Sequence, residues 1–194
     1  MPLTKEDIIT LPNPRLRQKS KRVGLVSDEI RQIAQGMIDA TLSWDASRNH
    51  EVGVALAAVQ IDKLYRIVVV RNNLEDKRDE SFSVFLNPEI TKLEGELLND
   101  YEGCLSVPTI YGKIKRYSKV RIKALNLDGE PFRVTAGGFL ARVFQHEIDH
   151  LNGIVFIDHI QNDQDAFYQL MEDGKLNQLD YNDVKDDLVY TIIL

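Results

Sequence analysis

Phe139–Gly153 reads FLARVFQHEIDHLNG, and the fold turns on how this stretch is wound. The apolar spacing predicts a helix over Thr135 to Asn152, with Gly153 as the glycine just past its end. On such a helix His146 and His150 stand one turn apart on one face, so two imidazoles reach a single ion. Glu147 sits ~100° around from His146, close enough to face a water on that ion. Zinc hydrolases with the His-Glu-x-x-His pattern use this arrangement. Phe139, Leu140, Val143, Phe144, Ile148 and Leu151 cover most of the circumference, leaving Arg142, Gln145 and Asp149 as a narrow polar edge. A helix apolar nearly all round is buried. Burying Glu147 costs free energy unless its charge is offset, and a cation does that. Taken alone, the motif also suits two core histidines beside a solvated glutamate.

Strands precede this helix. Val120, Ile122, Ala124 and Leu127, then Phe132 and Val134, flank Asp128-Gly129 as a hairpin. Phe82, Val84 and Leu86 alternate toward a strand ending before Asn87-Pro88, and Arg66–Val70 reads as a buried strand. Earlier still, Ser27 is placed to cap a helix over 28–44. After Gly153 the pattern predicts a short strand over Val155–Ile160 and a helix over Asp163–Asp173, ended by Gly174. Several strands before one motif helix favour an α+β domain over a doubly wound sheet.

The chain's 194 residues suit one domain with a tail, large enough to fold without disulfides or a structural metal. A metal here would therefore serve chemistry. Its one cysteine, Cys104, excludes an intrachain disulfide and fits a reducing cytoplasm. Met1–Thr10 lacks the shape of a signal peptide, and no apolar run approaches a membrane span. Residues 161–194 hold eight acids and two lysines, which is the whole net charge of −6. Residues 1–160 are neutral, so neither part has the basic footprint of a nucleic-acid binder. The expected division is a catalytic domain over 1–160 and an acidic extension over 161–194, a helix followed by the apolar run Leu188–Leu194.

Two histidines leave a tetrahedral site short of a ligand. The only later glutamate, Glu172, lies beyond Gly153 and several acids, and His159 is too far along for a third helical ligand. His50 falls in a loop. Cys104, in Tyr101-Glu-Gly-Cys-Leu-Ser106, offers a thiolate suited to a borderline or soft divalent ion. By itself a lone cysteine suits a buried structural role equally well. Gly53-Val-Ala-Leu-Ala-Ala-Val-Gln60 lets something approach the backbone and ends on an amide donor, although a tightly packed strand would read the same.

Together and in this order, Gly53–Gln60, Glu102–Ser106 and Gln145–His150 resemble the three signature motifs of the peptide deformylases. Those run approximately Gly-x-Gly-Leu-Ala-Ala-x-Gln, Glu-Gly-Cys-Leu-Ser and Gln-His-Glu-x-Asp-His. Arg15-Leu-Arg17, Asn87-Pro88, Arg116 and Leu151-Asn-Gly153 fit the same layout. The resemblance implies antiparallel sheets packed around a central helix carrying the motif. It implies removal of the formyl group from N-formylmethionyl peptides of nascent polypeptides. It implies one divalent metal, Fe2+ as the native ion in many members, with Zn2+, Ni2+ or Co2+ substituting. Carried over by position, Cys104, His146 and His150 are the ligands and Glu147 the acid/base. The Gln60 side chain and the Leu105 backbone N–H are the oxyanion donors. Val54, Ala55, Gly103, Phe139, Arg142 and Val143 contact substrate. Glu102 and Arg116 suit a supporting pair behind the cysteine, although an incidental surface pair would read the same.

The chain departs from the pattern in places. Ala55 replaces a second glycine, so a methyl group intrudes near the substrate. Arg142 replaces an aliphatic residue of the methionine pocket, which makes the pocket mouth more polar unless the side chain snorkels outward. Tyr111 stands where some subfamilies have arginine. The acidic tail disfavours a transient ribosome contact through RNA. An ordinary metalloprotease with another third ligand, and a non-catalytic binder of formylated chains, are the competing readings. Loss or retention of metal in Cys104→Ala separates the first of these from a deformylase.

Overall fold

The computed structural model describes residues 1–185 and 188. Leu188 is buried, and the rest of the expected apolar terminal run, 189–194, lies outside the described residues.

Helix α1 spans Asp28–Ala46. The Ser27 hydroxyl accepts from the Ile30 N–H, and Asp28 and Glu29 complement the positive end of the helix dipole. Its buried face carries Ile30, Ile33, Ala34, Met37, Thr41 and Trp44, the stripe the sequence predicts. Then follow β1 (Ala55–Ala57), β2 (Ile67–Arg71), β3 (Phe82–Cys104), β4 (Val107–Leu125) and β5 (Pro131–Gly137). Helix α2 covers Gly138–Leu151, and β6 (Phe167–Leu170), β7 (Leu176–Gln178) and α3 (Tyr181–Val184) follow. The pairings between these strands are antiparallel, and an isolated parallel bridge joins Lys21 to Tyr65.

Strand β2 explains the architecture. Val68 and Val70 join a core with Phe144, Ile148 and Leu151 of α2. Ile67 and Val69 point the other way, into a core with Ile33 and Met37 of α1. A strand covered on both faces reads as an unbroken apolar run, as this one does.

The structure corrects several expectations. The described strands form one sheet, in the order β1-β2-β3-β4-β6-β7 with β5 also on β4, and not separate sheets. Strand β3 does not stop at Asn87-Pro88. Its register shifts between Leu86 and Glu89, with Asn87 at φ +52°, so a bulge absorbs the proline. Buried Asn87 also ties the N-terminal arm down, because its amide bonds both the N–H and the carbonyl of Val23. The motif helix starts at Gly138, since Thr135–Gly137 pair with Lys119–Arg121. Val155–Ile160 is no strand: Phe156–His159 makes a 3-10 turn, its entry fixed by the Val155 N–H donating to the Asp158 carboxylate.

The helix expected over 163–173 is also absent. A short 3-10 turn, Gln164–Ala166, leads into β6, which pairs with Ile110–Gly112 of β4. A helix there would have left that stretch of the β4 edge without backbone partners. Gly174, at φ +81°, lies in the turn of the β6–β7 hairpin. Among the described residues no helix is long and apolar enough to cross a membrane.

Candidate active site

Helix α2 buries Ala141 through Ile148, then His150 and Leu151. On its polar edge Arg142 and Gln145 are buried and Asp149 half-buried, and each member has a task. The Gln145 amide accepts from the Tyr117 N–H (3.1 Å) and donates to the Tyr117 carbonyl (2.9 Å), so it serves β4 as a strand would.

The next residue begins the cluster. His146 Nε2 and His150 Nε2 are 3.2 Å apart, and Cys104 Sγ is 3.2 Å from His150 Nε2. The three donor atoms lie within 4.8 Å of one another. Cys104 arrives at the end of β3, where the two-residue turn Leu105-Ser106 swings the chain into β4. The structure thus brings together a thiol from mid-chain and two imidazoles from the late helix, a candidate metal site.

The donor set fits an ion on its own chemistry. Two imidazole nitrogens facing each other at 3.2 Å can share one proton at most. A cation accepting from both, and from sulfur, satisfies all three. Burial and the neighbouring His146 hold the pKa of His150 well below the usual imidazole range, so it stays an electron-pair donor. His146 moves the opposite way: burial lowers its pKa, but the Cys104 sulfur and Glu102 raise it further. Glu147 Oε2, one residue past His146, is buried with no hydrogen-bond partner among the described residues, which leaves it available to a group bound at the cluster. Burial pushes the Glu147 carboxyl up to about 7; His146 pulls it down, and Glu102 adds to the rise. A carboxyl poised there can take and return protons near neutrality.

Behind His146 lies a charged layer. Glu102 Oε2 meets His146 Nδ1 at 3.0 Å, which turns Nε2 toward the cluster. Arg116 grips Glu102 through Nε (2.9 Å) and Nη2 (3.1 Å), and Arg142 Nη1 adds a third donor (2.8 Å). Burial alone would raise the Glu102 pKa; His146 and Arg116 hold it well below the usual carboxylate range. Arg116 also reaches Asp149 (2.6 Å), which His159 meets at 2.7 Å. The Glu102–Arg116 pair is therefore buried and bidentate. Arg142 does not snorkel outward: besides Glu102 it donates to the carbonyls of Leu98, Asp100 and Ile114.

Gln60 stands on the other side. Its carbonyl accepts from the Ala57 N–H (2.8 Å), which aims its NH2 at Ser106 Oγ (3.1 Å) and Cys104 Sγ (3.6 Å). Beside the cluster opens a pocket lined by Val54, Ala55, Gly103, Phe139, Arg142 and Val143, with Gln60, Leu105 and Glu147. Trp44, Glu51 and Tyr101 also line it, and sequence reasoning gave them no site role; Tyr111, which the sequence marked only as a departure from arginine, lines it as well. Tyr111 is opposite Gly103, where a Cβ would come within 2.6 Å of the ring. The Tyr111 hydroxyl donates to Glu51 (2.9 Å) and so holds the loop before β1. His50 is exposed and stays outside the cluster.

A buried site of one cysteine sulfur and two imidazoles, with an acid one residue along, is the equipment of a metal-dependent hydrolase. A family model described as polypeptide deformylase matches residues 5–166. The chain belongs to the polypeptide deformylase family, whose members are metal-dependent and deformylate nascent peptides. The peptide deformylase of Acinetobacter baumannii (strain SDF) is 43% identical, over 79% of this chain and 81% of its own. That of Thermomicrobium roseum is 44% identical, over 80% and 85%. A Synechococcus elongatus peptide deformylase structure superposes with a TM-score of 0.72 at 34% identity, covering 84% of this chain and 88% of that one.

Proposed function

We propose that this chain removes the formyl group from N-formylmethionyl ends of nascent polypeptides, with Cys104, His146 and His150 holding one divalent ion. The convergence of Cys104 Sγ and the two Nε2 atoms beside buried Glu147 carries this reading. A bound divalent cation supplies Lewis acidity, polarising the formyl carbonyl and acidifying water. Glu147 takes a proton from the attacking water and later delivers it to the departing amine. Gln60 Nε2 and the Leu105 N–H donate to the oxygen that gains charge, each worth on the order of 3 kcal/mol. Glu102 keeps His146 in the tautomer that presents Nε2. Val54, Ala55, Gly103, Phe139 and Val143 enclose the methionine side chain. Arg142 forms part of the wall with its charge turned inward to Glu102.

In this reading α2 is the central helix around which the sheet curves, 1–160 is the catalytic domain and 161–194 an acidic extension. The thiolate suits Fe2+ as the native ion, with Zn2+, Ni2+ or Co2+ able to replace it. The protein works in the cytoplasm on peptide ends, without membrane or direct nucleic-acid binding. Its acidic tail disfavours lasting contact with ribosomal RNA.

The test is turnover of formyl-Met-Ala by iron-loaded protein kept anaerobic, alongside metal analysis of fresh protein. Cys104→Ala should lose both metal and turnover. Retention of a stoichiometric ion by that variant, or no turnover by iron-loaded wild type, overturns the assignment.

A further inference from the structure

The tail strand β6 begins at Phe167, just past the family match at 166. It pairs with the part of β4 that bears the pocket residue Tyr111. In register, Tyr101 faces Lys113, Gly103 faces Tyr111, and Tyr111 faces Tyr168. Residues directly opposite share a face of the sheet. Tyr101, Tyr111, Lys113 and Tyr168 therefore stand together on one side of three strands, at the pocket rim. The rings of Tyr101 and Tyr168 meet edge to face, centroids 4.9 Å apart. Lys113 Nζ lies over both, 5.1 Å from the Tyr101 centroid and 5.6 Å from that of Tyr168. Among the described residues no carboxylate pairs with Lys113. Its charge is held by aromatic faces and remains available to a ligand.

Because Tyr101 and Gly103 line the pocket and also begin this surface, a peptide leaving the pocket along them runs onto it. Resting on the deformylase reading, we propose that Tyr101, Lys113 and Tyr168 form a ledge for the residues after the formylmethionine. The ledge selects a carboxylate side chain in that segment. The rings give the backbone an apolar floor, and Lys113 pairs with the acid. Tyr168 makes the tail a specificity element of the enzyme.

Amidated formyl-Met tetrapeptides carrying Glu or Lys at residue two, three or four test this on the metal-loaded full chain, with formyl-Met-Ala as a substrate too short to need the ledge. Wild type should favour Glu over Lys at one position by about five-fold in kcat/KM, the scale of one exposed ion pair, mainly through KM. Lys113→Glu should invert the preference and Tyr168→Ala should erase it, both with unchanged formyl-Met-Ala turnover. Polarisation binding of dye-labelled deformylated peptides reads the same preference whether or not turnover occurs. Equal handling of Glu and Lys in wild type, or a preference that survives Lys113→Glu, overturns the ledge. Absent turnover of formyl-Met-Ala with charge-selective binding intact would instead fault the deformylase reading.

Discussion

Two buried carboxylates flank the pocket, and they answer burial in opposite ways. Asp45, at the end of α1, accepts from the Gly53 N–H (2.6 Å) and from Arg71, whose Nε also holds the Gly53 carbonyl. Burial dominates there and raises its pKa above the ordinary 3.8, although Gly53 and Arg71 oppose the shift. Glu102 is buried too, yet ends below the usual range because His146 and the bidentate Arg116 favour its charged form. The difference teaches that having a partner does not settle a buried acid's ionisation; the number of charged donors does. The crowded acid orients a candidate ligand, and the sparsely served one clamps the backbone that forms the opposite pocket wall.

Breaking the crowded side should cost most. Glu102→Gln leaves Arg142 buried without its carboxylate and Arg116 with Asp149 alone, and it frees the His146 ring. Metal affinity or turnover should fall by about 10- to 100-fold, read by chelator competition and formyl-Met-Ala kinetics. Asp45→Ala instead removes the acceptor of both Arg71 and the Gly53 N–H, and should lower stability by about 3 kcal/mol in urea unfolding while metal affinity holds. If both variants lost metal equally, the contrast between the two sites would collapse. Ala55→Gly, on the clamped wall, should raise kcat/KM on formyl-Met peptides by about five-fold, which is roughly 1 kcal/mol of transition-state fit. Unchanged kinetics would clear the Ala55 methyl group of obstruction. The smallest effect is a slope. Folded Asp45 binds its proton more tightly than the unfolded chain does, so its contribution falls as pH rises from about 3.8 through the raised value. Glu102 works in reverse: its contribution is complete above the ordinary 4.5 and fades as pH falls toward its depressed value. Tm curves from about pH 3 to about pH 6 should therefore lose opposite slopes in Asp45→Ala and Glu102→Gln.

What the sequence made legible was local. The α1 stripe with its Ser27 cap, the Asp128-Gly129 hairpin and the winding of the motif helix each follow from spacing within a few turns of chain. The three motif segments also pointed to Cys104, His146 and His150, which the fold gathers. What escaped depended on distant partners. Ala166, Phe167, Leu170 and Met171 fit a helical face, but an open stretch of β4 edge decided for a strand. Asp173-Gly174 carried a hairpin signal that the helical spacing masked. Arg142 read as a charge either at the pocket mouth or snorkelling outward, and neither reading saw Glu102, which is 40 positions away. The Asp45–Arg71 pair spans 26 positions, and nothing local marks either residue as buried.

Gln145 has a mechanical consequence. By taking both backbone groups of Tyr117, it stitches the helix to the β3–β4 hairpin one residue before His146. The helix cannot roll about its axis, nor the hairpin slide, without tearing that stitch. Hydrogen exchange at the Tyr117 amide should then report whole-molecule opening rather than edge fraying, with the ligand-bearing helix and the cysteine-bearing hairpin breathing as one unit.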